Sequence, residues 1–192
     1  MKKLAVFMVL SFVIGQINPA LAQSRGAPSD SKPDASAAVV AAPAVNRAAE
    51  DFANKAREAV YKADHETAVK MLDEAIKLEP RHAKYRYDRA MSLIELNRKA
   101  GALLDLQVVI ELDPNKIDAY GHLGKIYYEM NNFNECAIEL SKGIAVNPNV
   151  AFNYYQRGQC YYQMVDNQAK AQEDFKKAIA LDPSYAELLK AK

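Results

Sequence analysis

The sequence predicts an all-α chain whose folded part is a solenoid of stacked helix pairs, and three observations carry that prediction. Beyond residue 46 the prolines stand at Pro80, Pro114, Pro148 and Pro183, at intervals of 34, 34 and 35 residues. Each closes a similar phrase: Leu78-Glu79-Pro80, Leu112-Asp113-Pro114, Val146-Asn147-Pro148 and Leu181-Asp182-Pro183. Within each interval, apolar residues recur at helical spacing in two runs of about 12–15 residues. The runs are parted by Ala63-Asp64, Asn97, Asn131-Asn132 and Asp166-Asn167. Asn tolerates the left-handed conformation that ends a helix, and proline blocks continuation into the next pair because it lacks the N–H and clashes with the preceding turn. One helix pair cannot bury its apolar face alone, so about three or more must stack. Here there are four.

The chain begins with a different element. Met1-Lys2-Lys3 precedes the apolar run Leu4 to Gly15, then Pro19 and Ala20-Leu21-Ala22 before Gln23. A positive start, an apolar stretch of about 7–15 residues and a small-x-small cleavage site make a secretory signal peptide, residues 1–22, cut after Ala22. The run is shorter than the roughly 20 residues a spanning helix needs. Cleavage removes Lys2 and Lys3 and no acid, which turns the net charge of +1 into −1. The short basic start and Ala-Leu-Ala-Gln site favour the bacterial periplasm or medium.

Residues 23–46 are rich in Ala, Pro, Ser and Gly and carry no aromatic residue. Such a stretch buries too little to offset its ordering entropy, so it is expected to be a flexible linker. All 11 Tyr lie at or beyond Tyr61, inside the repeats. The folded domain is expected over 47–192, with repeats 49–82, 83–116, 117–150 and 151–185. The fourth carries one extra residue near Asp166-Asn167. Ser184-Tyr185-Ala186-Glu187 has a capping-box pattern and starts a short C-terminal capping helix over 186–192.

The third repeat places Tyr120, Leu123, Gly124, Tyr127, Cys136, Leu140, Gly143 and Pro148; the fourth places Tyr154, Gly158, Tyr161, Ala171, Phe175, Ala178 and Pro183. The second has Arg86 at the aromatic place, then Ala90, Leu93, Ala102, Leu106, Val109 and Pro114; the first is the most degenerate. This pattern resembles the tetratricopeptide repeat. The resemblance implies a superhelix whose first helices line a concave groove that holds an extended peptide or a helix of a partner protein. Carried over place by place, the groove residues expected to bind are Arg57, Tyr87, Lys125, Tyr128, Tyr155, Gln159 and Tyr162. Gln156, Gln159 and Gln163 share one helix face by spacing, and with Tyr155 and Tyr162 they form an amide-and-phenol surface suited to peptide backbone. The family's carboxylate clamp is not matched: Ala53, Arg57 and Asp88 replace its first Lys and two Asn, and Asp88 repels a carboxylate.

Cys136 and Cys160 stand at places usual for small residues. Two readings stand: buried Ala substitutes, or a disulfide between adjacent helices, which export permits. His65, His82 and His122 are scattered, so no metal site is expected. The near-neutral charge gives no footprint for nucleic acid. There is no G-x-S-x-G, H-E-x-x-H or Gly-rich phosphate loop, so neither catalysis nor a cofactor is expected. The expected function is that of a non-catalytic adaptor of the cell envelope, periplasmic or secreted, with a protein partner and no stable membrane insertion after signal cleavage. Two alternatives are a self-assembling structural homo-oligomer and a thiol-regulated module.

Overall fold

The computed structural model describes residues 35–190, with side-chain surroundings from residue 47 onward. The signal-peptide reading and the linker up to residue 34 lie outside the described residues. Nine helices follow one another among those described: α1 (Ala35–Tyr61), α2 (His65–Leu78), α3 (Ala83–Glu95), α4 (Lys99–Leu112), α5 (Ile117–Glu129), α6 (Phe133–Val146), α7 (Ala151–Tyr162), α8 (Gln168–Leu181) and α9 (Tyr185–Lys190). Within the unit Ser36–Lys192, α3 packs on α4, α5 on α6 and α7 on α8. Each second helix then packs on the next first helix. α5 also meets α7, so these two first helices lie side by side. This is the all-α solenoid expected from the proline period.

The turns show why the sequence folds this way. Ala63, Asn97 and Asn131 adopt φ of 56°, 55° and 60°, the left-handed conformation that reverses the chain between paired helices in three residues. The fourth turn accommodates its extra residue differently. α7 stops at Tyr162 and α8 starts at Gln168; the longer turn is tied by the Gln168 side-chain amide donating to the Tyr162 carbonyl at 3.0 Å. Between repeats, the side-chain oxygens of Asp113, Asn147 and Asp182 accept from the backbone N–H two residues on, at 3.1, 2.9 and 2.9 Å. These Asx turns fix the corner around each proline.

The core follows the small and bulky places of the repeat. Leu72, Leu106, Leu123 and Leu140 are fully buried, with Ala68, Ala90, Ala102, Cys136 and Ala171 at the close approaches. A Cβ on Gly124 would sit 2.5 Å from Leu140 Cγ, and one on Gly158 would sit 2.7 Å from Phe175 Cε1. Glycine there sets how near the paired helices come. Arg86, at the aromatic place of the second repeat, donates to the Pro80 carbonyl at 3.1 Å. Tyr120 makes the same bond to Pro114 at 3.1 Å one repeat later, so the substitution preserves the contact.

Two boundaries differ from expectation. α1 begins at Ala35, inside the stretch read as linker. Six of residues 35–46 are Ala, the strongest helix former, so a composition read as spacer is equally one that favours helix. The capping helix spans Tyr185–Lys190, and it is Asp182 rather than Ser184 whose side chain ties its entry turn.

Candidate functional site

Two clefts of opposite chemistry lie along the solenoid. The first lies across α1, α3 and α5 and has a volume of 440 Å³. Its floor is apolar (Ala56, Val60, Met91, Ile94), and Arg57, Lys84, Asp88, Glu95, His122 and Lys125 stand around it. Lys84 pairs with Asp88 at 2.7 Å, while Arg57 bonds the neutral Asn54 side chain. Burial pushes the His122 imidazole below its ordinary range; Lys125 and Lys116 push the same way and Asp118 opposes them. Burial thus favours the neutral form of His122 in the wall of a charged cleft.

The second cleft has a volume of 570 Å³ and lies at the other end, across α5, α7, α8 and α9. Tyr128, Gln159, Tyr162, Gln163 and Gln172 form its rim, with Ala171, Phe175 and Leu189 beneath. None of its lining residues is charged. The Gln163 amide donates to the Tyr128 hydroxyl at 3.3 Å, and the Gln159 amide to the Tyr155 hydroxyl at 3.0 Å.

Of the seven groove residues expected from sequence, the structure places Arg57 and Lys125 together in the first cleft and Tyr128, Gln159 and Tyr162 together in the second. Tyr87 stands beside the first cleft, in a smaller pocket with Asp88 and Lys116. The Lys116 ammonium lies 4.5 Å from its ring centroid, and the His122 ring lies edge-on at 5.9 Å. Tyr155 lines neither cleft. Its ring packs on Phe175 at 6.1 Å and on Tyr185 of α9 at 4.9 Å, so the capping helix takes up that phenol face. Gln156 also leaves the expected surface, being only 7% exposed. With Asn153 and Cys160 it belongs to the stripe of α7 turned into the solenoid.

Cys136 and Cys160 are placed as a disulfide joining α6 to α7, with Cα atoms 6.3 Å apart. That separation lies within the disulfide range. Both residues are wholly buried, behind Tyr128, Tyr161 and Met164. Among the described residues, no group of three or more His, Cys, Asp or Glu is arranged to hold a metal ion, and no helix is long and apolar enough to cross a membrane.

A partly buried ion-pair ladder escaped the sequence reading. Arg89 grips Asp105 with two bonds, at 2.7 and 2.6 Å, and reaches Asp73 of the preceding repeat at 2.6 Å. Two repeats on, Arg157 grips Asp174 with two bonds of 2.8 Å and reaches Ser141 of the preceding repeat at 2.8 Å. Asp73 and Ser141 occupy matching places. The bonds to Asp105 and to Asp174 hold the two guanidinium groups above their ordinary range. The signal was present: Arg89 and Arg157 stand where Leu123 stands in the third repeat, and each has an Asp at the same later place.

This architecture is that of a tetratricopeptide solenoid, and comparison with known proteins agrees. Two family models, both described as tetratricopeptide repeat, match residues 53–117 and residues 117–150 and 153–185. The chain belongs to the tetratricopeptide repeat family. Among curated proteins it is similar to the STIP1 homolog of Dictyostelium discoideum, 32% identical over 87 residues. That match covers 45% of this chain and spans only 15% of the relative's length. Among solved structures it is similar to MamA from Desulfovibrio magneticus RS-1, at 24% identity and TM-score 0.66, covering 71% of this chain and 78% of that one. It is also similar to YrrB, described as a tetratricopeptide protein with an unusual peptide-binding site, at 24% identity and TM-score 0.68, with coverage of 76% and 75%. Proteins of this family are typically interaction modules.

Proposed function

We propose that the chain is a non-catalytic adaptor that binds an extended segment or helix of a partner protein along its concave face. The observation that carries this reading is a pair of clefts, a charged one across α1, α3 and α5 and a neutral one across α5, α7, α8 and α9. Apolar floors offer contact area, and phenol, amide, ammonium and guanidinium groups at the rims offer orientation and specificity. The peptide-binding site named for YrrB supports the same use of a similar scaffold. The amino-terminal sequence supports export, with cleavage after Ala22, to the periplasm or medium. An oxidising compartment would keep the Cys136–Cys160 bridge.

The test uses residues 23–192 as bait in an envelope extract beside two variants, Arg57→Ala/Lys125→Ala and Gln159→Ala/Tyr162→Ala, with helicity checked by circular dichroism. A protein retained by the parent and lost by either folded variant supports the reading. Equal retention by all three baits overturns it. Amino-terminal sequencing of the protein from a periplasmic fraction should begin at Gln23; a retained Met1 removes the export reading.

A further inference from the structure

The charged cleft is built around one row of the repeat. The ninth residues of the four repeats are Arg57, Met91, Lys125 and Gln159, and the first three line this cleft together. Both cations of the row are exposed. Arg57 bonds the neutral Asn54 side chain, and among the described residues no ion pair holds Arg57 or Lys125. Lys84, the third Lys or Arg of the cleft, is by contrast held by Asp88 at 2.7 Å. In the middle of the row stands Met91, with Ala56, Val60 and Ile94 completing an apolar floor. Glu95 lies one turn beyond Met91 on α3. It is the carboxylate of the described lining that stands outside a pair, so two unpaired cations face one unpaired anion.

Two cations flanking an apolar floor suit an occupant with a carboxylate at either end and an apolar side chain between. Complementary charge of this kind fixes register and rejects a segment that brings a cation to the same place. The unbranched thioether of Met91 adapts to apolar side chains of different shape, so the middle residue is set in polarity rather than in identity. The spacing follows from the packing. Neighbouring helices stand about 8–10 Å apart, which puts Arg57 and Lys125, two first helices apart, at roughly 16–20 Å. An extended segment rises about 3.3 Å per residue and covers that in about five or six residues. A helix is about 10–12 Å across, too broad for a cleft of 440 Å³ spread over three helices.

We propose that the charged cleft takes an extended internal segment of a partner protein in which two Asp or Glu residues, about five or six positions apart, flank an apolar residue. The two carboxylates meet Arg57 and Lys125, and the apolar side chain lies on Met91 and the floor beside it. Glu95 works against such a segment and excludes those with a further acid next to the apolar residue. No chain terminus takes part, so a segment with blocked ends binds as well as a free one. This inference rests on the partner-binding reading and adds to it the chemistry of the partner.

The test uses the full chain as isolated from its producing cells, carrying Gln159→Ala/Tyr162→Ala so that the neutral cleft does not compete. The immobilised protein is offered random sixteen-residue peptides displayed on phage, at low salt. Retained sequences should be enriched in paired acids at the stated spacing around Leu, Ile, Met or Phe. One retained peptide, synthesised with acetylated and amidated ends, is then titrated by fluorescence anisotropy. Arg57→Gln and Lys125→Gln should each weaken it about threefold to fivefold. Glu95→Gln should strengthen it about twofold, a gain that misfolding cannot produce. Retained sequences without acid pairs, acids about eleven or more positions apart as on a helix, binding lost on blocking the ends, or an affinity indifferent to all three substitutions would each overturn this inference and leave the partner-binding reading in place. Retention no higher than on an unrelated protein of equal charge would remove the charged cleft from both.

Discussion

Removing Asp174 should cost far more than its place near the end of the solenoid suggests. The Arg157 guanidinium is 18% exposed and the Asp174 carboxylate 7%, and two bonds of 2.8 Å join them. Asp174→Ala leaves a largely desolvated cation with the Ser141 hydroxyl as its remaining side-chain hydrogen-bond partner. Breaking one side of a buried pair costs about 3–5 kcal/mol, and partial exposure of Arg157 places the expectation near the lower end, about 3 kcal/mol. Arg157→Leu, the residue found at this place in the third repeat, strands the carboxylate and should cost about as much. The double variant Arg157→Leu/Asp174→Ala removes both charges and should cost about 1 kcal/mol, because an apolar replacement of a buried pair is often near neutral. The cycle then shows a coupling of several kcal/mol. Urea unfolding followed by circular dichroism at 222 nm supplies the four values. A cost below about 0.5 kcal/mol for Asp174→Ala, or a double variant equal to the sum of the singles, would refute the ladder as a source of stability.

Gly158→Ala should destabilise by about 1–3 kcal/mol, since its Cβ would meet the Phe175 ring at 2.7 Å and the Ala171 carbonyl, which cannot swing away, at 3.2 Å; a melting temperature equal to the parent's would contradict this. Reducing the Cys136–Cys160 bridge, which closes a loop with a sequence separation of 24, should lower stability by about 3.5 kcal/mol on the chain-entropy scale. Thiol counting before and after unfolding without reductant should find no free thiol. His122 is held below its ordinary pKa of 6.5 by burial, so the unfolded chain binds the proton more readily and stability must fall as pH drops below about 6.5. The melting temperature should decline over that window in the parent and decline less in His122→Gln; identical profiles would remove His122 as the cause.

The stack was legible because its punctuation is local chemistry. A proline every 34 residues and an Asn or Ala-Asp at each midpoint dictate helix ends whatever the packing, and Asn97 and Asn131 take the left-handed conformation their identity suggests. The start of α1 was not legible, because alanine serves spacers and helices alike. Site residues were read by place in the repeat, which gives the face a residue stands on but not what packs over it. The structure puts Arg57 and Lys125 in one cleft and Tyr128, Gln159 and Tyr162 in the other. Place alone does not show that Tyr185 of α9, outside the regular repeats, packs on Tyr155. It failed for Gln156 because a spacing of three and seven joins residues up to the edge of a face, and that edge is already core. The Arg–Asp ladder needed the opposite habit: asking why a charge stands twice at a place the pattern keeps for leucine.

The terminal repeat of a solenoid is its weakest, because each unit draws stability from its neighbours and the last has one full neighbour instead of two. Here the last repeat also supplies α7 and α8, two walls of the neutral cleft. Two cross-ties fall at its junction with the third repeat. Arg157 reaches back from α7 to Ser141 on α6, and Cys160 of α7 is joined to Cys136 of α6. The first cleft has its own tie of this kind, since Arg89 links Asp105 to Asp73 across the first two repeats. Cross-ties between repeats fix the angle at which first helices meet, and that angle sets the width of a cleft lined by two or more of them. The cross-ties behind the clefts therefore act on how their walls meet, while the rim residues set what each cleft accepts.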